Sequence, residues 1–252
     1  MKNKLAIGLL LAAVYLFWLL LSAPARLLTL ALPDGARLGE TTGTLWQGEA
    51  HQASWRGVEL AYLRWEFGFS SWLPDWHIRF NDPSGLRGQV WLHGLNEFVV
   101  REGRLVIPAP LISQRLALGM PLEARGQLVL TLPEARFNAS GCRQLAGSNV
   151  LWQNAALSSP AGSLELAQVN GKLSCTPAGA LAVALTQDSR QLSLTGQGVL
   201  TPDGRYTFNG TLQPRQATPA LLMLLVAQNG RKDEQGRIPW RWQGESLSEE
   251  KK

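Results

Sequence analysis

The chain is 252 residues long, with 17% charged residues and a net charge of +5. Four of its positive charges, Lys2, Lys4, Lys251 and Lys252, sit at the extreme ends, and the arginines between them are scattered singly. That distribution excludes the basic patch or stripe that nucleic-acid binding needs. Charged content below the roughly 25% of average soluble domains, with glycines and prolines dividing runs rich in Thr, Val, Leu and Trp, favours strands over helices.

The first element is Leu5–Leu21, LAIGLLLAAVYLFWLLL, uncharged throughout. At about 1.5 Å per residue, such a helix is just long enough to span hydrocarbon. Lys2 and Lys4 precede it and no Lys or Arg follows until Arg26. The asymmetry predicts a cytoplasmic start over 1–4, a transmembrane anchor over 5–23, and everything beyond it outside the cytoplasm. Tyr15 and Trp18 lie toward the far end, where amphipathic rings suit the headgroup layer. A cleaved signal peptide stays open, with Ala23-Pro24-Ala25 as an A-x-A site, although the run exceeds the usual apolar core of roughly 7–15 residues. A buried soluble helix would need a polar face that this run lacks.

After a short approach, Pro33-Asp34-Gly35 carries turn chemistry. Gly43-Thr44-Leu45-Trp46-Gln47-Gly48 then reads as a short strand bracketed by glycines. Val58–Phe69 is a period-2 strand with Ala61, Leu63, Trp65, Phe67 and Phe69 on one side. The chain turns over Ser70–Asp75, and Trp76, Ile78 and Phe80 alternate with His77 and Arg79. Leu63, Trp65, Phe67, Phe69, Trp76, Ile78 and Phe80 therefore form a candidate apolar face. Val90 and Leu92, Phe98–Val100 and Leu105–Ile107 continue the meander until Pro108-Ala109-Pro110. Leu111–Leu118 reads as two helical turns ended by Gly119, and Gln127–Leu132 resumes the strands.

The second half echoes the first. Leu151-Trp152-Gln153 matches Leu45-Trp46-Gln47, and Leu164–Ala167 matches Val58–Ala61 at the same spacing. These echoes suggest repeats over about 38–125 and 141–212. Arg205–Leu212 is a further strand. Thr218-Pro219 then opens a short helix, Leu221–Ala227, stopped by Asn229-Gly230 and too short to span a bilayer. Ile238, Trp240 and Trp242 share one face of a last strand. The β region thus covers 24–244, and 245–252 reads as a disordered tail.

Cys142 and Cys175 are the two cysteines. In an exported chain an even count suggests a bridge, worth roughly 3–4 kcal/mol for a loop of this length. Two buried free thiols are the alternative. Neither cysteine has a second ligand at metal spacing. His51, His77 and His93 show no ligand spacing, no G-x-S-x-G elbow occurs, and the carboxylates are single. Gly196-Gln197-Gly198 lacks the third glycine of a dinucleotide loop and reads as a strand twist or bulge. No catalytic, cofactor or metal residue is nominated, and the chain is expected not to be an enzyme. Trp46, Trp55, Trp65, Trp72, Trp76, Trp91 and Trp152 crowd the strand region. They serve either as large core fillers or as the lining of an apolar groove open to an acyl chain or a partner strand.

The Lys-bearing start, one anchor helix, the Gly-Thr-Leu-Trp-Gln-Gly stretch, and Cys142 and Cys175 flanking a second Leu-Trp-Gln together resemble the type II secretion system protein N (general secretion pathway protein N) family. The likeness covers nearly the full length, whereas Gly-Thr-Leu-Trp alone also occurs in AsmA-like envelope proteins. The resemblance implies a single-pass protein of the bacterial inner membrane with its bulk in the periplasm. Its partners would be other type II secretion subunits, in the inner-membrane platform and at the secretin, besides the lipid bilayer. The AsmA likeness implies an all-β fold, a long, curved, mostly antiparallel sheet after one transmembrane helix. The rival reading is a lipid-binding or lipid-transfer groove with a lipid ligand.

Overall fold

A computed structural model of the chain describes residues 2–30, 32, 35–55, 58–70, 72–94, 96–113, 123–159, 162–215, 218 and 233–245. They are mostly antiparallel β structure with three helical elements. The chain divides into two compact units, Met1–Pro83 and Ser84–Lys252.

The first unit opens with α1 (Lys2–Leu21). Its large side chains from Ile7 to Leu21 are apolar and exposed. No helix among the described residues is long and apolar enough to cross a membrane. A 3-10 turn, Ala25–Leu30, follows where only an approach coil was expected. β1 (Ala36–Arg37) and β2 (Thr41–Gly43) both pair with β3 (Gln47–Trp55), which pairs with β4 (Val58–Ser70), which pairs with β5 (Leu73–Asn81).

Two local expectations are corrected here. The Gly43–Gly48 stretch is not one strand: Gly43 ends β2, Gln47 and Gly48 open β3, where Gly48 pairs back on Gly43, and Thr44-Leu45-Trp46 make the turn between them. Gly43 takes φ +90°, a conformation that favours glycine, and the Thr44 hydroxyl accepts from the Gln47 N–H at 3.1 Å, closing the turn. The turn expected over Ser70–Asp75 is shorter, because Ser70 already pairs with Leu73.

The second unit contains β6 (Arg87–His93), β7 (Glu97–Pro108), α2 (Ala109–Ser113), β8 (Glu123–Asn138), β9 (Gly141–Ala146), β10 (Asn149–Ser159), β11 (Gly162–Cys175), β12 (Leu181–Asp188), β13 (Leu192–Leu200), β14 (Arg205–Pro214) and β15 (Ile238–Glu245). Their order is β6-β7-β8-β10-β11-β12-β13-β14-β15, with β9 pairing the later part of β8. The two strand segments expected around 98–107 are one strand, with Glu102 at φ +50°. The helix expected over Leu111–Leu118 starts earlier, at Ala109, with Pro110 in its first turn where a missing N–H costs nothing. The Leu221–Ala227 helix and the tail beyond Glu245 lie outside the described residues.

Ala155, Leu164, Leu166, Val169, Leu192 and Ile238 form the core of this unit, with Trp152, Leu157 and Leu212 packed on it. Cys142 on β9 and Cys175 at the end of β11 form a disulfide, with the sulfurs 2.01 Å apart and the Cα atoms 5.4 Å apart. β13 and β14 pair without any register shift, so Gly196-Gln197-Gly198 is no bulge. Its glycines make room instead: a Cβ at Gly196 would collide with the ring of Phe208. The echoed hairpins differ in register. Gln47 pairs with Glu66 in one, whereas Gln153 pairs with Gln168 in the other, not with Lys172 as the spacing of the echo would require.

Candidate functional site at the end of the N-terminal helix

The register of β3–β5 assembles most of the apolar face that period-2 spacing marks out. Leu63 stands opposite Phe80, Trp65 opposite Ile78, and Phe67 opposite Trp76. On the other side of β4, Ala50 faces Leu63 and Gly48 faces Trp65. Small residues on β3 thus leave room for large ones on β4. Trp65 is only 7% exposed; its indole N–H donates to the Leu45 carbonyl at 3.1 Å. Ala25 and Ala50 complete this small core, with Leu28, Leu38 and Leu63 packed around it. The 3-10 turn is what covers the face, and its placement could not be read from the strands.

The cover is held by the last turn of α1. The Trp46 indole N–H donates to the Leu20 carbonyl at 2.8 Å, the Leu45 N–H donates to the Ala23 carbonyl at 2.9 Å, and Pro24 bridges to Thr44. Trp46, Phe67, Phe69 and Trp76 form an aromatic cluster centred on Phe67, each ring centroid 5.0 Å from it. Phe69 departs from this half-buried face: it is 73% exposed, Trp72 at the hairpin tip is 97% exposed, and Leu73 is exposed beside them. Trp46 and Trp72 were grouped with the other tryptophans in the sequence. Their roles were hidden there because each depends on a turn that composition does not locate.

The opposite face of the same strands is polar. Tyr62 donates its hydroxyl proton to Glu49 at 2.7 Å, which raises the phenol above its ordinary pKa. Glu66 pairs with Arg64 at 3.0 Å and Arg79 at 2.9 Å. Desolvation alone would raise the Glu66 carboxyl, but the two arginines hold it below the usual carboxylate range. Among the described residues no three His, Cys, Asp or Glu side chains gather as a metal site. In the second unit, Trp240 and Trp242 on β15 stack at 6.5 Å, and Phe208 and Tyr206 on β14 meet them edge-on at 5.6 Å each. The β3–β5 strands offer one largely self-filled apolar face, a self-paired charge ladder and exposed aromatics at the β4–β5 hairpin end, and β15 of the second unit carries the exposed Trp242.

Residues 34–241 match the family described as type II secretion system (T2SS), protein N. The chain is 89% identical over 252 residues to the type II secretion system protein N of Klebsiella pneumoniae, covering 100% of both. It is 36% identical to the protein of that name from Pectobacterium carotovorum subsp. carotovorum, over 98% of this chain and 99% of that one. To the Vibrio cholerae protein it is 33% identical, over 97% and 100%. No solved structure matches the chain.

Proposed function

Because the chain belongs to the type II secretion system protein N family, we propose that it is a periplasmic subunit of that machinery, tethered to the inner membrane by α1 and acting through contact, not catalysis. In this reading it helps assemble or operate the apparatus that exports folded proteins across the outer membrane. The observation that carries the reading is full-length similarity to secretion proteins from several bacteria.

One feature supports the orientation of the anchor and another its staying uncleaved. Lys2 and Lys4 precede the apolar run and Arg26 follows it, the asymmetry that keeps the N-terminus in the cytoplasm. Ala25, at the end of the A-x-A stretch, is 1% exposed and packs with Ala50 and Trp65. Cleavage after it would remove Ala25 from that core, and with it the Leu20 and Ala23 carbonyls that accept from Trp46 and Leu45. Partners would be subunits of the inner-membrane platform and the secretin, met at exposed strand ends. Trp65, filling the apolar face beneath the 3-10 turn, supports contact over a lipid-carrying groove.

The test is photocrosslinking in cells that carry the whole secretion system, with the reactive residue in place of Trp242. This side chain is exposed on β15, the terminal strand of the described order. An adduct to a second secretion subunit is the expected result. A lipid-mass adduct at this position would favour the lipid-handling alternative. Absence of any subunit adduct, together with unchanged exoprotein export when the chain is deleted, overturns the reading.

A further inference from the structure

The β4–β5 hairpin tip breaks a local rule without any gain inside the described fold. Two-residue hairpin turns favour Gly, Asn or Asp, because their backbone visits positive φ. Here Trp72, just before Leu73 where β5 begins, takes φ +66°, a conformation that is an outlier for a bulky side chain. Its indole is 97% exposed, and Phe69 and Leu73 beside it are exposed as well. From Gly68 to Pro74 the sequence carries no charge. A strained, uncharged turn that presents aromatic rings to its surroundings is suited to contact.

The place of this tip in the fold says what it contacts. Trp46 is hydrogen-bonded to the Leu20 carbonyl in the last turn of α1. From Trp46 the rings step to Phe67 and then to Phe69, 5.0 Å at each step, and the strand continues into the tip. An aromatic row therefore leads from the end of the apolar helix to Phe69, next to the tip that carries Trp72. Tyr15 and Trp18 lie exposed in the last turns of the helix itself. Aromatic rings at one end of a membrane helix are the residues that settle in the headgroup layer.

We propose that the β4–β5 hairpin tip, through Phe69, Trp72 and Leu73, seats in the headgroup layer of the bilayer from which α1 emerges. The occupant of this patch is the lipid surface. The inference rests on α1 being the membrane anchor. With two attachments instead of one, the β3–β5 unit is held against the membrane and does not swing from a single tether.

The experiment uses the full-length chain in vesicles of phosphatidylethanolamine and phosphatidylglycerol. An environment-sensitive fluorophore is attached at Trp72→Cys, and separately at Val14→Cys in α1 and at Glu59→Cys on the exposed side of β4. Quenchers are lipids brominated either near the glycerol end or near the methyl end of the acyl chains. The expected result is a blue-shifted label at position 72, quenched several-fold more by the shallow bromines than by the deep ones. Position 14 is quenched by deep bromines, and position 59 by neither. Quenching at 14 with a water-like, unquenched label at 72 overturns the hairpin contact and leaves the anchor standing. No quenching at 14 overturns the anchor and the contact together. A label at 72 that becomes shielded only when other secretion subunits are added makes the tip a protein contact and overturns the lipid assignment.

Discussion

The indole of Trp65 lies across Gly48. A Cβ built at Gly48 would stand 2.6 Å from Cζ2 of Trp65 and 2.6 Å from the Thr42 carbonyl oxygen. Gly48 is therefore the floor on which the deeply buried Trp65 rests. Gly48→Ala is expected to destabilise the protein by about 1–3 kcal/mol, because neither a backbone carbonyl nor a packed indole can yield that space cheaply. Thermal unfolding followed by near-ultraviolet circular dichroism reads both the loss of stability and the disturbance of the Trp65 signal. An unchanged midpoint would show that the floor is not needed.

The bridge between Cys142 and Cys175 fastens β9 to the end of β11. Cross-linking removes freedom from the unfolded chain, so the double variant Cys142→Ser, Cys175→Ser is expected to lose about 3 kcal/mol. Steady-state amounts in cells should fall before any interaction of the remaining folded protein changes. Normal amounts with an unshifted unfolding transition would count against a structural role for the bridge.

At Trp72 stability and contact oppose one another. Glycine accepts φ +66° without the Cβ penalty, so Trp72→Gly is expected to gain about 1 kcal/mol in detergent solution. The same change removes the exposed ring and should weaken the hairpin's hold on vesicles. A chemical unfolding series in detergent checks the first effect. Destabilisation there would mean that the Trp72 ring has structural partners.

Asp203, in the turn between β13 and β14, accepts hydrogen bonds from the Thr201 hydroxyl and from Arg205. These hold its carboxyl down at about 2, against an ordinary 3.8. A carboxylate with a depressed folded-state pKa stabilises the fold above its ordinary value and loses that contribution as pH falls through the folded value. Wild type should therefore exceed Asp203→Asn in stability at neutral pH, with the difference shrinking between 3.8 and about 2. Denaturant titrations of both proteins across that range would show it, and a difference independent of pH would exclude the carboxylate as its source.

Much of the β3–β5 face was legible because period 2 is a local property. Leu63, Trp65 and Phe67 had to point one way, and Trp76, Ile78 and Phe80 matched them once the hairpin closed in register. Phe69 obeys the same period yet is exposed. The strand outruns the 3-10 turn that covers its neighbours, and alternation carries no information about where a cover ends. The middle of Gly43–Gly48 misled for a related reason. Its Thr, Leu and Trp have strand propensity, but Gly43 at positive φ and the Thr44 hydroxyl close a turn. The echo between the halves shows the same limit, since similar side-chain strings at similar spacing pair in different registers.

By itself the sequence determined the apolar first helix, the alternating strands, the cysteine pair and the family likeness. Each of these is carried by neighbouring residues, by composition or by a pattern held along the whole chain. Only the tertiary structure decided that Ala25 and Leu28 lie on Trp65, that Trp46 ties the sheet to Leu20, and that Phe69 and Trp72 are left outside. Those outcomes depend on contacts between segments far apart in the chain. Periodicity says which residues share a face, and packing against a distant segment says which part of that face is covered.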